Sequence, residues 1–79
     1  MSPTVFTDGP FRFFFFSREE TRRHIHVTCP AGEAKFWLEP EIELAMQHGL
    51  PPHRVSEIRR LVEEHEDEIR RAWQQHIGG

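Results

Sequence analysis

The fold of this chain is decided by residues 24–38, which read HIHVTC at 24–29, PAG at 30–32 and EAKFWL at 33–38. In both hexapeptides apolar residues alternate with polar or amphipathic ones, a pattern typical of a β-strand with one buried face. The proline and glycine between them favour a tight turn. The stretch therefore predicts a β-hairpin.

The alternation assigns the side chains of this hairpin to two faces of a sheet, because successive strand residues point in opposite directions. The core face is predicted to hold Ile25, Val27, Cys29, Ala34, Phe36 and Leu38. The opposite face is predicted to hold His24, His26, Thr28, Glu33, Lys35 and Trp37. The second face combines imidazoles, an ammonium, a carboxylate and an indole, so we expect any chemistry or binding there.

Size and composition fit one small domain in a reducing compartment. The chain has 79 residues, a formal charge of −3 and a single cysteine, so it cannot form an intramolecular disulfide. Residues 1–38 hold five basic and four acidic side chains, and residues 39–79 hold five and nine. The N-terminal half is therefore only slightly basic, and this excess of positive charge is much smaller than in the basic stripe of a dedicated nucleic-acid binder.

We expect a cytoplasmic protein without a membrane segment. No secretory signal is recognisable, and the apolar run at residues 13–16 is far too short to cross a bilayer. Cys29 falls on the core face, where a small buried hydrophobe is expected rather than a nucleophile.

The remaining patterns predict an α+β fold. Strands are expected at about 3–6, 11–17, 24–29 and 33–38, and helices at about 40–48 and 52–77. Strands that precede helices along the chain favour a small antiparallel sheet of three to four strands. A short helix and a long C-terminal helix would then pack on one face of that sheet.

The second predicted strand carries phenylalanine on both faces. Phe11, Phe13 and Phe15 alternate onto one side, and Phe14 and Phe16 onto the other. Helices can cover only one side, so an aromatic patch on the other would favour association. We therefore predict that the isolated protein is a homodimer with rings of this strand at or near the contact.

Five segments of the chain form a specific combination in this order: PTVF at 3–6, FFFS at 14–17, HIHV at 24–27, GEAKFWLEP at 32–40 and LVEEH at 61–65. Together they resemble a family of small bacterial proteins catalogued as domain of unknown function 4160. Members are often encoded beside another small domain in a toxin–antitoxin-like arrangement. The resemblance thus implies a small protein partner and an RNA or DNA target, but no defined activity.

The chain departs from the family pattern at two places. Arg22-Arg23 stand where the family often has two prolines, which raises the local positive charge. Pro51-Pro52 stand where the family often has a serine cap before the long helix. Neither departure points to a known activity.

A metal site is the weaker of two chemical interpretations. His24 and His26 would project from one face about 7 Å apart along the strand. A zinc site needs at least one further ligand, and Glu33, His48 and His53 do not lie at a diagnostic spacing. We predict no metal and no cofactor.

The other interpretation is metal-independent RNA cleavage by His24, His26 and Lys35. The two histidines could act as general base and general acid, and the ammonium of Lys35 could stabilise the negative charge of a phosphorane intermediate. A two-residue loop at Pro30-Ala31 would pair His26 with Lys35. A one-residue slip with a bulge at Gly32 is the alternative register.

The same face could instead be a solvated surface or a contact surface. For a binding module, Arg22, Arg23 and Trp37 are the expected contact residues. An interaction module working with a small partner in a toxin–antitoxin-like pair is the first hypothesis, and a small ribonuclease is the alternative. Whether the protein is an enzyme is left open by the sequence.

Overall fold

The chain forms a sheet followed by two helices in a computed structural model that describes residues 4–15 and 22–76. The strands are β1 (Thr4–Asp8), β2 (Phe11–Phe14), β3 (His24–Cys29), β4 (Gly32–Trp37) and β5 (Glu43–His48). The helices are α1 (Pro52–Glu64) and α2 (Glu66–His76). The strands pair antiparallel in the order of the chain, β1-β2-β3-β4-β5. The α+β class is confirmed, with five strands where three to four were expected.

The hairpin of β3 and β4 has the register that a two-residue loop imposes. Cys29 lies opposite Gly32, His26 opposite Lys35 and His24 opposite Trp37. The pairing is continuous along both strands, so the alternative register with a bulge at Gly32 is wrong. A side chain at position 32 would overlap the carbonyl oxygen of His48, so the turn and the end of β5 can meet only at a glycine.

The helix expected at residues 40–48 is wrong, because this segment contains strand β5 (Glu43–His48). Ile42, Ala45 and Met46 have helical spacing, but the segment pairs with β4 instead. The register shifts between Lys35 and Phe36, where Ala45 is the extra residue. This bulge removes the regular alternation by which a strand is recognised in a sequence.

The first two strands also form a hairpin. The strand expected at residues 3–6 is β1 (Thr4–Asp8), and its register with β2 shifts at Val5. The strand expected at residues 11–17 is β2, whose pairing ends at Phe14. Residues 3, 16 and 17 of these expected strands, and residue 77 of the expected long helix, lie outside the described residues.

The core lies between the helices and one face of the sheet. From the strands and the residues next to them it contains Phe11, Phe13, Phe15, Ile25, Val27, Ala34, Phe36 and Leu38. Leu50, Ile58, Leu61, Val62, Ile69 and Trp73 join it from the helices and the segment before them. The predicted core face of the hairpin is confirmed, with Cys29 partly buried against its edge.

The helix expected at residues 52–77 is interrupted at His65, which lies in a turn between α1 and α2. The amide of His65 still donates to the Leu61 carbonyl (3.0 Å), and that of Ile69 donates to the His65 carbonyl (2.9 Å). The helical hydrogen-bond spacing therefore persists across the interruption. Across the described ranges, no helix combines the length and apolarity needed to cross a membrane.

Candidate functional site

The face of the sheet opposite the helices carries side chains in rows that run across the strands. Directly opposed residues of an antiparallel pair point to the same side, so the registers define each row. The central row is Thr4, Phe14, His26, Lys35 and Met46. On one side of it lie Thr7, Arg12, Thr28, Glu33 and His48, and on the other His24, Trp37 and Glu43. We call these three rows together the outer face.

Trp37 is flanked by two cationic side chains. The Cζ atom of Arg22 lies 4.2 Å from the centroid of the indole, and Nζ of Lys35 lies 4.5 Å from it. Arg22 is held in place because its Nη2 and Nε donate to the Glu39 carbonyl at 2.9 and 3.2 Å. Cations at these distances are attracted to the ring face, so the indole is presented in a fixed orientation.

A second aromatic cluster surrounds Phe14. Its ring stacks on the imidazole of His26, with centroids 5.5 Å apart and planes 21° apart. Arg12 Cζ lies 4.6 Å from the same ring, while Arg12 Nε donates to the Thr4 hydroxyl at 2.8 Å. Phe14 is consequently only 8% exposed although it lies on the outer face.

Next to the Phe14 cluster the outer face has a shallow depression of about 230 Å³. It is lined by Arg12, Phe14, His26, Val27, Thr28, Glu33, Ala34 and Met46. Met46 stands at its rim with 45% of its surface exposed, the largest exposure of a large hydrophobic side chain among the described residues. The depression thus combines a thioether with aromatic, basic and acidic groups.

His24 is buried beneath this face. It is 0% exposed, and its ring meets those of His26 and Trp73 edge-on at 5.0 and 5.2 Å. Its Nδ1 lies 2.7 Å from the Arg22 carbonyl oxygen. Since a carbonyl only accepts, the proton of this hydrogen bond belongs to Nδ1. The structure therefore brings His26 and Lys35 together at the surface, with His24 adjacent to them but enclosed.

Arg23 takes part in a different contact. Its Nη1 lies 3.3 Å from Oε1 of Glu39, and its Nη2 donates to Oε1 of Gln74 at 3.5 Å. Glu39 also pairs with Arg70 of α2 at 3.5 Å. Of the three expected contact residues, Arg22 and Trp37 therefore lie together, whereas Arg23 connects the sheet to α2.

The phenylalanines expected at an interface are largely covered within a single chain. Phe11, Phe13 and Phe15 belong to the core and are at most 2% exposed. Phe14 lies on the outer face as the alternation predicts, while Phe16 lies outside the described residues. The homodimer stays a prediction.

Within residues 4–15 and 22–76, no group of three or more histidine, cysteine, aspartate or glutamate side chains is placed to hold a metal ion. His24 and His26 approach each other through an edge-to-face contact of their rings. The described residues thus offer a polar and aromatic surface without a recognisable ligand set.

Sequence reasoning missed Arg12 and Met46 as members of the outer face. Arg12 could have been found, because it stands between Phe11 and Phe13, and strand alternation therefore places it on the face opposite to theirs. Met46 could not, because its segment has the spacing of an amphipathic helix.

A family model described as "Domain of unknown function (DUF4160)" matches residues 11–74 of the chain. The match begins at β2 and extends through most of α2, so it includes nearly all of the outer face. No curated protein and no solved structure gives a significant match.

Proposed function

This chain belongs to the DUF4160 family, and we propose that it is a cytoplasmic protein-binding module that works with a small partner protein in a toxin–antitoxin-like pair. The partner would dock on the outer face of the sheet. The observation that carries this proposal is the presentation of Trp37 between Arg22 and Lys35.

The composition of the outer face supports a protein contact. Tryptophan and arginine are enriched among the residues that dominate binding energy, and methionine is enriched at interfaces. Trp37 and Phe14 are already held by their cationic neighbours, so little side-chain entropy remains to be lost on binding. Met46 can adapt its shape to the surface that meets it.

The charges of the outer face favour protein over nucleic acid as the direct partner. The cations Arg12, Arg22 and Lys35 are interspersed with the carboxylates Glu33 and Glu43, and the whole chain carries −3. Binding to a phosphate backbone is dominated by clustered positive charge. An RNA or DNA target would then be reached by the complex rather than by this face alone.

A ribonuclease is the second candidate, and one observation favours it. His26 lies directly opposite Lys35, which is the juxtaposition that a base and a phosphate-binding cation require. The burial of His24 argues against it, because a general acid must reach the leaving oxygen. The outer face also carries the imidazole of His48, but it lies opposite Glu33 in the neighbouring row rather than beside His26 and Lys35.

The proposed function is tested by titrating the purified protein with its proposed partner, the small protein that the family resemblance predicts to be encoded beside it. Trp37→Ala is expected to weaken binding about thirtyfold, corresponding to about 2 kcal/mol. Arg60→Ala is the control, because Arg60 is an exposed arginine on α1, away from the outer face. Equal affinities of wild type and Trp37→Ala, with both proteins folded, would reject the outer face as the contact surface.

A further inference from the structure

A groove separates the edge of the sheet from the second helix. It has a volume of about 550 Å³ and is lined by Thr4 and Val5 of β1 and by Glu68, Arg71, Ala72 and Gln75 of α2. One wall is thus a strand and the other a helix. The depression at Met46 is lined by residues of β2 to β5, so the two cavities share no lining residue.

The strand wall of the groove is an open edge. Within residues 4–15 and 22–76, β1 is the first strand of the sheet and pairs with β2 along one side only. An edge strand presents backbone N–H and C=O groups that can pair with a further strand. The register shift at Val5 increases local twist but leaves Phe6, Thr7 and Asp8 in regular pairing with β2. Most of β1 is therefore able to accept an added strand.

The helix wall supplies a cation. Arg71 and Gln75 are exposed, and the small side chain of Ala72 lies between them. The carboxylate of Glu68 is engaged with Nδ1 of His65 at 3.0 Å. Within the described part of the chain, Arg71 has no carboxylate or hydrogen-bond partner. Its guanidinium can bind a carboxylate with two parallel hydrogen bonds.

We propose that this groove binds an extended acidic segment of the partner protein, which pairs with β1 as a sixth strand and places a carboxylate on Arg71. Backbone pairing would supply affinity, and the arginine would supply selectivity for acidic side chains or a chain terminus. This inference rests on the proposed function, to which it adds a second contact surface and the chemistry of the segment bound there.

The test uses an array of heptapeptides with aspartate or glutamate at one position, synthesised beside matched sequences with asparagine or glutamine. Acidic peptides are expected to bind at least about tenfold more tightly than their amides, as for a charge-assisted pair. In NMR spectra of the full chain, the bound peptide is expected to shift and protect amides of β1. Arg71→Gln is expected to abolish the preference for acidic peptides, whereas Arg60→Gln, also an exposed helix arginine, should leave it intact.

Strand pairing has its own signature. A selected peptide is resynthesised with N-methyl groups on its odd-numbered amides or on its even-numbered amides. Because alternate residues of a strand direct their N–H groups to the same neighbour, only one of the two sets is expected to lose binding. Equal loss or equal retention in both sets would overturn strand addition.

The outcomes separate this inference from the proposed function. If no acidic peptide binds better than its amide, or if peptides shift only outer-face amides, the groove inference is wrong. Partner binding that still depends on Trp37 would then leave the proposed function standing. If β1 amides become protected with rising protein concentration alone, the occupant is a second copy of this chain and the inference of a partner segment is also wrong.

Discussion

His26 and Lys35 lie directly opposite each other on β3 and β4, with their side chains on the same outer face of the sheet. Both are engaged by aromatic neighbours, His26 by the ring of Phe14 and Lys35 by the indole of Trp37. A base that must take a proton from substrate needs a free approach to its nitrogen. The pair therefore fits a contact surface better than a catalytic centre.

The first prediction concerns catalysis. Expression of the chain alone is expected to leave growth unimpaired, and the purified protein is expected to leave labelled RNA intact, because His24 is enclosed. His26→Ala should behave identically in both assays. Growth arrest that disappears in His26→Ala, while circular dichroism shows the variant folded, would instead establish the ribonuclease.

The second prediction concerns metal. Protein purified without a histidine tag is expected to contain no zinc by elemental analysis, because His24 and His26 have no third ligand placed near them among the described residues. Added zinc should leave the melting temperature unchanged, since a site bound only in the folded state would raise it. About one equivalent of zinc per one or two chains would contradict this.

The sequence predicted the central hairpin correctly because its strands alternate strictly and its loop is short. Burial of one face then leaves a single register that keeps Ile25 and Val27 inside. The segment of β5 was misassigned because glutamate, leucine, alanine, methionine and glutamine all have high helix propensity. Pairing with β4 outweighs this helix propensity, and the local sequence of the segment does not indicate that pairing.

The candidate site was predictable only where it depends on alternation. The spacing of Lys35 and Trp37 correctly predicted that they share one face. Arg22 is held beside Trp37 by its hydrogen bond to the Glu39 carbonyl, a contact between residues 17 positions apart that no sequence pattern indicates. The burial of His24 depends on Trp73 of α2, which sequence spacing cannot position. Arg23 was expected on the same surface as Arg22 but is drawn to Glu39 and Gln74.

The third prediction contrasts two members of the contact between the sheet and α2. Glu39 is half exposed and pairs with Arg23 and Arg70, so Glu39→Gln is expected to cost about 0.5 kcal/mol in free energy of unfolding. Arg70 also donates to the Leu38 carbonyl and pairs with Glu66 at 2.9 Å. Arg70→Met is expected to cost about 1–3 kcal/mol, because the carbonyl of a buried residue loses its donor.

Urea unfolding at low and high salt distinguishes the two effects. Salt screens the exposed ion pairs of Glu39 but not the hydrogen bond to Leu38. The cost of Glu39→Gln should therefore vanish at high salt, while that of Arg70→Met persists. A cost of Arg70→Met that also vanishes at high salt would show that the carbonyl contact contributes little.

The fourth prediction concerns Phe6, which connects the sheet to the helix junction. Its ring stacks between Phe13, at a centroid distance of 4.2 Å, and His65, at 4.0 Å. Phe6→Leu keeps an apolar side chain but loses both stacks, and should lower the free energy of unfolding by about 1–2 kcal/mol. Thr7→Ala, an exposed neighbour on the other face, should change it little. Hydrogen exchange near residue 65 should accelerate in Phe6→Leu alone.

The last prediction concerns assembly. We predict that the isolated chain is a homodimer, and we expect its contact on the outer face, where Met46 is exposed next to Phe14 of the phenylalanine strand. Light scattering should then report twice the chain mass. Met46→Lys should weaken the dimer about tenfold, because burying that thioether contributes on the order of 1.5 kcal/mol. Gln47→Lys, an exposed neighbour on the other side of β5, is the control.

Phe15 gives the complementary test of the same prediction. It is fully buried and meets Trp73 edge-on at 5.3 Å, so Phe15→Glu should unfold the chain rather than produce a folded monomer.

Because dimer and partner would use the same face, adding the partner should replace the homodimer with a one-to-one complex. A wild-type protein that stays monomeric at high concentration would contradict the homodimer. A dimer that persists in Met46→Lys and survives partner binding would place its contact elsewhere, since two molecules cannot occupy the outer face at once.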